Sequence, residues 1–286
     1  MTPSQLRFAP SAEGRIAYDD LAPTTASHER VFLCAPSLGD TRAEYRAIAP
    51  ELAQRGRVLS MDLPGHGESD TTFTRYDADA LADTMIATLD HAGVERAVLV
   101  GCSVSGGAAI VAAARAPERV EGLVLLAPFT RKARGEYALG LLMGALFGGP
   151  WAGSVWSSYY RSLYKRTRPE DLEAHIDSLR AMLRDPARRR ALVATIRGSK
   201  GPVQARRASV KAPTEIVFGS KDPDFSSPAD EARILCEAIG AHAQSALLDG
   251  LGHYPHVEAP SAVLARIDVL LARLDERSSP VARSAS

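Results

Sequence analysis

Short apolar runs alternate with amphipathic segments along most of the chain. Most of these runs are rich in β-branched residues and end at Gly, Pro or Asp, which is typical of strands buried on both faces of a sheet. Because helical periodicity separates several of the runs, the pattern predicts a parallel sheet covered by helices on both faces. The apolar runs are Val31–Cys34, Arg57–Met61, Ala97–Val100, Gly122–Leu126, Glu215–Phe218 and Gln244–Leu248. The helical segments are Arg42–Arg55, Ala78–His91, Ser103–Arg115, Pro228–Ile239 and Ala262–Leu274.

Two regions depart from this alternation. The first, Gln5–Leu21, is typical of a hairpin added to one edge, which would make the sheet mixed. The second, from Phe129 to about Ser209, has no strand-like run but has helical patterns at Tyr159–Lys165 and Pro169–Arg190. We therefore predict a core of residues 1–128 and 210–275, a helical cap of residues 129–209 and a polar, disordered tail of residues 276–286.

Composition narrows the classes of function. The chain has 286 residues, 45% of them hydrophobic, and a formal net charge of zero. It can therefore bury a large core, but it lacks the cationic excess of a general nucleic-acid or membrane-surface protein. Three widely spaced cysteines, Cys34, Cys102 and Cys236, form neither a disulfide framework nor a zinc motif, and no export signal is visible. We expect a cytoplasmic protein that acts on a small molecule.

The stretch from Gly101 to Gly106 reads Gly-Cys-Ser-Val-Ser-Gly directly after a predicted strand. Small residues around a central serine are typical of a sharp strand-to-helix turn that presents Ser103 as a nucleophile at a helix N-terminus. An ordinary glycine-containing turn remains the alternative. Cys102 would then point into the packing of the sheet as an inert thiol.

A serine nucleophile needs a base and an acid that orients the base. His253 follows the last predicted strand and is the favoured base, whereas His256 is expected to pack or cap near the final helix. Asp222 and Asp224 both follow the penultimate strand, and Asp222, which Pro223 stiffens, is the favoured acid. His28, His91, His175 and His242 are expected to face solvent.

Four motifs together resemble the α/β-hydrolase superfamily. The turn at Ser103, the stretch Asp62-Leu-Pro-Gly-His-Gly-Glu-Ser69, the acid loop Gly219–Asp222 and Gly252-His253 with Glu258 come in the order of that family. The resemblance implies an α/β-hydrolase fold: a mostly parallel sheet of about eight strands, flanked by helices, with a helical cap. It also implies that the loop containing His66 is structural, and that residues 129–209 are the variable cap.

The loop after the first long apolar run departs from the usual His-Gly pattern of the family and reads Ser-Leu-Gly from Ser37. This piece is similar to the loop of enol-lactonases. By that likeness, the amides of Leu38 and Val104 would form the oxyanion hole, with Ser37 as the alternative to Leu38. Pro36 has no amide proton to donate.

These residues predict a cofactor-free, metal-free serine hydrolase that acts on an ester, lactone or thioester. The same triad could instead hydrolyse a carbon–carbon bond, act as a perhydrolase or haloperoxidase, or perform a lyase or cyclase step. A binding protein with a silent triad is a third possibility.

The predicted cap has two further features. Its aromatic side chains could hold the cap on the core or line an apolar pocket, and Trp151, Trp156, Tyr159 and Tyr160 are the candidate substrate-binding residues. Residues 161–211 contain fourteen Lys and Arg against five Asp and Glu. This surplus is either a solvated face or a site for an anionic substrate, such as an acyl-CoA or a carrier-bound thioester.

Overall fold

The computed structural model describes residues 4–24, 30–131, 136–198 and 200–278, and its centre is one eight-stranded sheet. The strand order is β1-β2-β4-β3-β5-β6-β7-β8, and all neighbours are parallel except β1 with β2 and β2 with β4. The mixed, mostly parallel sheet with an added hairpin is therefore confirmed. The strands are β1 Gln5–Pro10, β2 Arg15–Leu21, β3 Val31–Ala35, β4 Arg57–Met61, β5 Ala97–Cys102, β6 Val120–Leu126, β7 Thr214–Gly219 and β8 Ala243–Leu248.

Helices cover both faces of the sheet, so the central strands are buried on both sides. Every residue of β5 is buried; Leu99 packs into one hydrophobic cluster, and Val98 and Val100 pack into the other. This alternation follows from the two-residue period of a strand. The edge strand β8 is only partly buried.

The α-helices account for most of the predicted helical segments, but Arg42–Arg55 forms only a 3-10 helix at Arg42–Ala47 and a short α-helix at Ala49–Leu52. They are α1 Ala49–Leu52, α2 Ala78–His91, α3 Val104–Arg115, α4 Glu136–Phe147, α5 Ala152–Ser162, α6 Leu172–Met182, α7 Pro186–Arg197, α8 Gly201–Arg206, α9 Pro228–Ile239, α10 Pro255–Glu258 and α11 Pro260–Ser278. Short 3-10 helices lie at Arg42–Ala47, Pro117–Arg119, Arg207–Ser209 and Gly240–His242. None of the described helices is long and apolar enough to cross a membrane.

Between the end of β6 and the start of β7, the described residues form only helices, α4 to α8 and a 3-10 turn. The single helical pattern predicted at Pro169–Arg190 is divided into α6 and α7. Asp185 caps the second helix by accepting a hydrogen bond from the amide of Ala187, and Pro186 occupies the first turn. Since proline is tolerated there but not in a helix interior, the division follows from the sequence.

The last helix is longer than predicted. Helix α11 extends to Ser278, three residues into the segment predicted as a disordered tail. Apolar positions, including Ile267, Leu270 and Leu274, pack this helix against the sheet and support its last turns. The rest of the predicted tail, residues 279–286, lies outside the described residues.

Candidate active site

Ser103 lies at a sharp turn between β5 and α3. Its φ of 58° and ψ of −118° form a conformation that costs a non-glycine residue about 1–3 kcal/mol. The flanking positions must lack side chains: a Cβ at Gly101 would lie 2.6 Å from the carbonyl oxygen of Ser105, and a Cβ at Gly106 would lie 2.8 Å from the Cβ of Pro128. The backbone can therefore form this strained turn only because the flanking residues of the motif are small.

Hydrogen bonds on both sides hold this turn. The Ser103 amide donates to the carbonyl of Leu126 at 2.8 Å, and the Ser103 carbonyl accepts from the amide of Phe129 at 3.1 Å. Ser105, which stands where the family usually has glycine, donates its hydroxyl proton to the carbonyl of Pro36 at 2.5 Å. The serine therefore ties the turn to the loop after β3.

His253 and Asp222 form a buried hydrogen bond beyond the ends of β8 and β7. The distance from His253 Nδ1 to Asp222 Oδ2 is 2.8 Å, and these residues are only 2% and 3% exposed. Asp224 Oδ2 lies farther from the same nitrogen, at 3.7 Å. Of the two carboxylates, Asp222 is therefore the one that is hydrogen-bonded to the histidine.

Ser103 and His253 both contact Phe129. The amide of Phe129 binds the Ser103 carbonyl, and its ring centroid lies 6.0 Å from that of His253. The Ser103 hydroxyl itself makes no hydrogen bond to any of the described residues, His253 included. Hydrogen bonds of this kind often form only when substrate is bound.

The environment of His253 favours its charged form. Burial alone would lower the pKa of this imidazole, but the carboxylates of Asp222 and Asp224 outweigh burial and raise the pKa from 6.5 to about 9. Asp224 is held by the hydroxyl of Tyr159, which is 2.8 and 2.7 Å from its two carboxylate oxygens. The helical insertion therefore fixes the second acid beside the histidine.

In the loop after β3, the amides of Ser37 and Leu38 differ in whether they already have a hydrogen-bond acceptor. The Ser37 amide already donates to Glu44 Oε2 at 2.7 Å. Leu38 and Val104 line one cavity, and within the described part of the chain neither amide has an acceptor. Val104 is the first residue of α3, where an amide has no partner inside the helix. This arrangement favours Leu38 over Ser37 as a donor.

Glu44 is a buried residue that no pattern in the sequence singled out. Its carboxylate accepts from the amide of Ser37 and lies 3.2 Å from His256 Nε2. His256 stacks on Tyr45 with 5.1 Å between ring centroids, so it packs as predicted. The carboxylate links the loop after β3 to the short helix α10 that follows His253.

Two groups of described residues have donors within 4.8 Å of one another and could in principle hold a metal ion. In the first, Glu44 with Cys102 and His256, burial raises the pKa of the Cys102 thiol well above its usual value and disfavours the thiolate that a metal needs. In the second, the hydrogen bond to Asp222 occupies Nδ1 of His253. Neither donor set fits a metal ion well.

His175 corrects one prediction. It is 7% exposed rather than solvent-facing, and its Nε2 lies 2.8 Å from Asp40 Oδ1. The hydroxyl of Tyr160 donates to the other oxygen of Asp40 at 2.5 Å. Leu172, Ile176 and Leu179 share the buried face of α6 with His175, and their three- and four-residue spacing was the available signal.

His66 has the structural setting that the resemblance implied. It is fully buried, its Nδ1 lies 2.9 Å from the carbonyl of Pro64, and burial lowers its pKa to about 4. In the same loop, Asp62 accepts from the amides of Arg42 and Glu68. These contacts shape the loop itself.

A cavity of about 520 Å³ lies beside the turn at Ser103. Of the four residues predicted to bind substrate, Trp156 and Tyr159 line this cavity. Trp151 and Tyr160 do not line it: Trp151 is 56% exposed, and Tyr160 is turned toward Asp40. The other lining residues are mostly apolar and are Leu38, Val104, Phe129, Arg131, Gly140, Met143, Leu146, Phe147, Val155, Ile196, Lys200 and Asp224.

Comparison with known proteins agrees with this architecture. The model of the alpha/beta hydrolase family matches residues 31–267. The acetyltransferase component of the acetoin cleaving system of Pseudomonas putida is 30% identical over 227 residues, which are 75% of this chain and 56% of that protein. The 2-hydroxymuconate semialdehyde hydrolase of Pseudomonas sp. (strain CF600) is 41% identical over 85 residues, 29% of this chain and 30% of that protein. The chain thus spans less than two thirds of the length of either relative.

The fold is also similar to that of solved structures. The enol-lactonase of Burkholderia xenovorans LB400 superposes with a TM-score of 0.78 at 18% identity, covering 93% of this chain and all of the other, 100%. An identity this low shows a shared fold and no more.

Proposed function

The chain belongs to the alpha/beta hydrolase family, and we propose that it is a serine hydrolase that cleaves a carboxylic ester, lactone or thioester without a cofactor. The observation that carries the proposal is the buried 2.8 Å hydrogen bond between His253 and Asp222, beside the strained turn that presents Ser103. The three residues come from loops at one edge of the sheet, where parallel strands end.

In the proposed acylation step, neutral His253 takes the proton of Ser103 through Nε2 while the serine oxygen attacks the substrate carbonyl carbon. Asp222 holds Nδ1 and stabilises the imidazolium that forms. The imidazolium then gives its proton to the leaving oxygen or sulfur as the acyl bond breaks. Water, activated by the same imidazole, adds to the acyl-enzyme and releases the carboxylic acid and Ser103.

The amides of Leu38 and Val104 are the proposed donors to the oxyanion. Both line the cavity, and both lack an acceptor within the described residues. One such donor contributes about 3–4 kcal/mol to the stability of the transition state. The contact of Ser105 with Pro36 helps to hold the two donor segments together.

The cavity favours an apolar acyl group. We propose that residues 129–209 act as a cap over the core of residues 1–128 and 210–275, because α4, α5 and α7 supply much of the lining. Phe147 and Trp156 meet edge to face in this wall, 5.3 Å apart. The cavity suits a small molecule with a medium-sized apolar or aromatic acyl part.

We also propose that the protein works in a reducing compartment such as the cytoplasm. Its three cysteines, Cys34, Cys102 and Cys236, are all free thiols. The first two are buried in the sheet, where they pack as small apolar side chains.

Carbon–carbon bond hydrolysis by the same residues is the second candidate. It is favoured by the 41% identity with 2-hydroxymuconate semialdehyde hydrolase over 85 residues. The geometry of this site does not by itself favour a non-hydrolytic use of the triad, as in a perhydrolase, haloperoxidase, lyase or cyclase, over hydrolysis.

The test is turnover of p-nitrophenyl esters and aliphatic lactones of graded acyl length, with Ser103→Ala as the control. The proposal expects activity that peaks at a medium acyl length and disappears in Ser103→Ala. Unchanged activity in Ser103→Ala would overturn it. Cleavage of a vinylogous 1,5-diketone, with no ester turnover, would favour the second candidate.

A further inference from the structure

A groove of about 700 Å³ lies between the insertion and the segment before α2, outside the cavity beside Ser103. The segment before α2, residues 74–77, forms one wall, and α7 forms the other. Four arginines line the groove, Arg75, Arg189, Arg190 and Arg197, and Asp77 is the only acidic residue among its described lining residues. The groove therefore concentrates positive charge in a protein whose formal net charge is zero.

These arginines differ from most others in the protein. Arg46 and Arg55, for example, each bind a carboxylate through two nitrogens. In the described part of the chain, Arg189, Arg190 and Arg197 have no carboxylate within 4.0 Å. The guanidinium of Arg75 has only distant carboxylates among the described residues, on Asp77 at 3.7 Å and on Asp83 at 3.9 Å. Asp77 already caps α2 by accepting from the amide of Ala80.

Backbone contacts fix two of the guanidinium groups. Arg189 donates to the carbonyls of Leu183 and Arg184 at 2.9 and 2.8 Å. Arg197 donates to the carbonyl of Gly140 at 3.2 Å and lies against Gly144, where a Cβ would meet its guanidinium nitrogen at 2.2 Å. These contacts position the charges without neutralising them.

The groove and the cavity beside Ser103 are separate, but both border α7. A small void of about 10 Å³ lies between them; it shares Tyr76 and Gly198 with the groove and Val104 and Phe129 with the cavity. On α7, Arg197 lines the groove and its neighbour Ile196 lines the cavity. One ligand could therefore contact both sites if the partition at Tyr76 opens slightly.

We propose that the groove binds the phosphate-bearing leaving group of an acyl thioester or ester whose acyl part lies in the apolar cavity. This inference rests on the proposed function and names its substrate class. Planar guanidinium groups bind phosphate oxygens in pairs, and their uncompensated charge attracts a polyanion. Hydrolysis consumes one water and yields the acid and the phosphorylated thiol or alcohol, so no further reactant is needed.

The experiment compares octanoyl thioesters of pantetheine, 4′-phosphopantetheine and coenzyme A, which share one acyl group and one scissile bond. We expect kcat/KM at low ionic strength to rise with the number of phosphates, by about tenfold overall. In the double variant that carries Arg75→Gln and Arg190→Gln, kcat/KM should no longer rise with the number of phosphates. The matched control, Arg184→Gln, removes an exposed arginine of the same insertion that does not line the groove and should leave the series steep. A flat series in the wild type would overturn the inference.

A binding measurement separates this inference from the proposed function. Isothermal titration of Ser103→Ala with coenzyme A and with pantetheine needs no turnover. Binding of coenzyme A that the double variant weakens, with no hydrolysis of thioesters, p-nitrophenyl esters or lactones by the wild type, would support the groove and contradict the proposed function. If the wild type hydrolyses the thioesters but coenzyme A and pantetheine bind equally well, the proposed function stands and the proposed phosphate site in the groove is wrong. Comparing hydrolysis of the octanoyl thioester of an acyl carrier protein with that of octanoyl-coenzyme A distinguishes a phosphate bound as part of a protein from one bound as part of a small molecule.

Discussion

His175, on the insertion, binds the buried carboxylate of Asp40, which lies two residues after the proposed oxyanion donor Leu38, and the distance from Nε2 to Oδ1 is 2.8 Å. Tyr160 binds the second oxygen of the same carboxylate. The helical insertion and the loop after β3 are therefore fixed to each other through one buried acid. The consequence is that the stability of this contact depends on pH.

Replacing His175 should destabilise the protein by an amount that changes with pH. Burial lowers the pKa of His175, but Asp40 outweighs it and raises the net value; burial also raises the pKa of Asp40, but His175 and Tyr160 outweigh it and lower the net value. The pair therefore stabilises the fold fully between about pH 4 and 6.5. This stabilisation is lost as pH rises through the raised pKa of His175, or falls through the lowered pKa of Asp40.

Urea unfolding of His175→Phe at pH 5.5 and at pH 9.5 measures this effect. We expect the free energy of unfolding to fall by about 3 kcal/mol at the lower pH, because the variant removes the charged partner of the buried Asp40 carboxylate. The fall should be smaller at the higher pH. Tyr160→Phe is the control, since its hydroxyl stays protonated throughout. A loss in His175→Phe that is equal at both pH values would contradict the account.

Asp224→Asn should shift the pH profile of hydrolysis to lower pH. The base must be neutral, so kcat/KM rises as pH passes the pKa of His253, which two carboxylates raise to about 9. Removing one of the charges should lower the apparent pKa by about one unit. Tyr159→Phe keeps the charge of Asp224 and should keep the alkaline profile. Identical profiles for Asp224→Asn and the wild type would show that Asp222 alone sets this pKa.

Gly39→Ala should impair catalysis more than the same substitution at another glycine of positive φ does. Gly39 has a φ of 70°, and a Cβ there would lie 2.3 Å from the ring of Trp156. Relieving the clash must move Leu38 or the cavity wall, so we expect kcat to fall by about a hundredfold. Gly93 has a similar φ of 67° but nothing within 4 Å of its Cβ position. Gly93→Ala should therefore cost only about 1 kcal/mol of stability and leave kcat intact.

Glu44 is predicted to be a positioning residue. Glu44→Ala leaves the Ser37 amide without its buried acceptor, so the neighbouring amide of Leu38 should lose its alignment. We expect kcat to fall by about tenfold or more with KM little changed, because the amide acts on the transition state. Glu44→Gln keeps an acceptor oxygen and should restore part of the loss. Equal changes in kcat for both variants would mean that the charge, rather than the hydrogen bond, matters.

Local sequence signals predicted strand β4 and helices α2 and α9 to the residue, and the other strands of the parallel part of the sheet to within two residues. Helix α2 begins after Asp77 and α9 begins after Ser227, and each of these side chains caps its helix. These signals act within a few residues of chain, so one sequence is enough to read them. The pairing of Asp222 with His253 was also predictable, because parallel strands deliver their following loops to one edge.

Contacts between distant segments were not predictable in the same way. Glu44 meets His256 across more than two hundred residues, and its own segment shows no motif. Trp151 and Trp156 are both aromatic residues of the insertion, but only the second faces the cavity, because the position where α5 begins decides which way each points. Their roles depend on the packing of the insertion on the core.

The most direct test of the central claim is mass-spectrometric mapping of a fluorophosphonate adduct on the folded protein at pH 9. The account predicts one adduct, on the peptide that contains Ser103, and a loss of at least about a hundredfold in labelling rate in His253→Ala. Labelling at another residue, or an unchanged rate in His253→Ala, would contradict it.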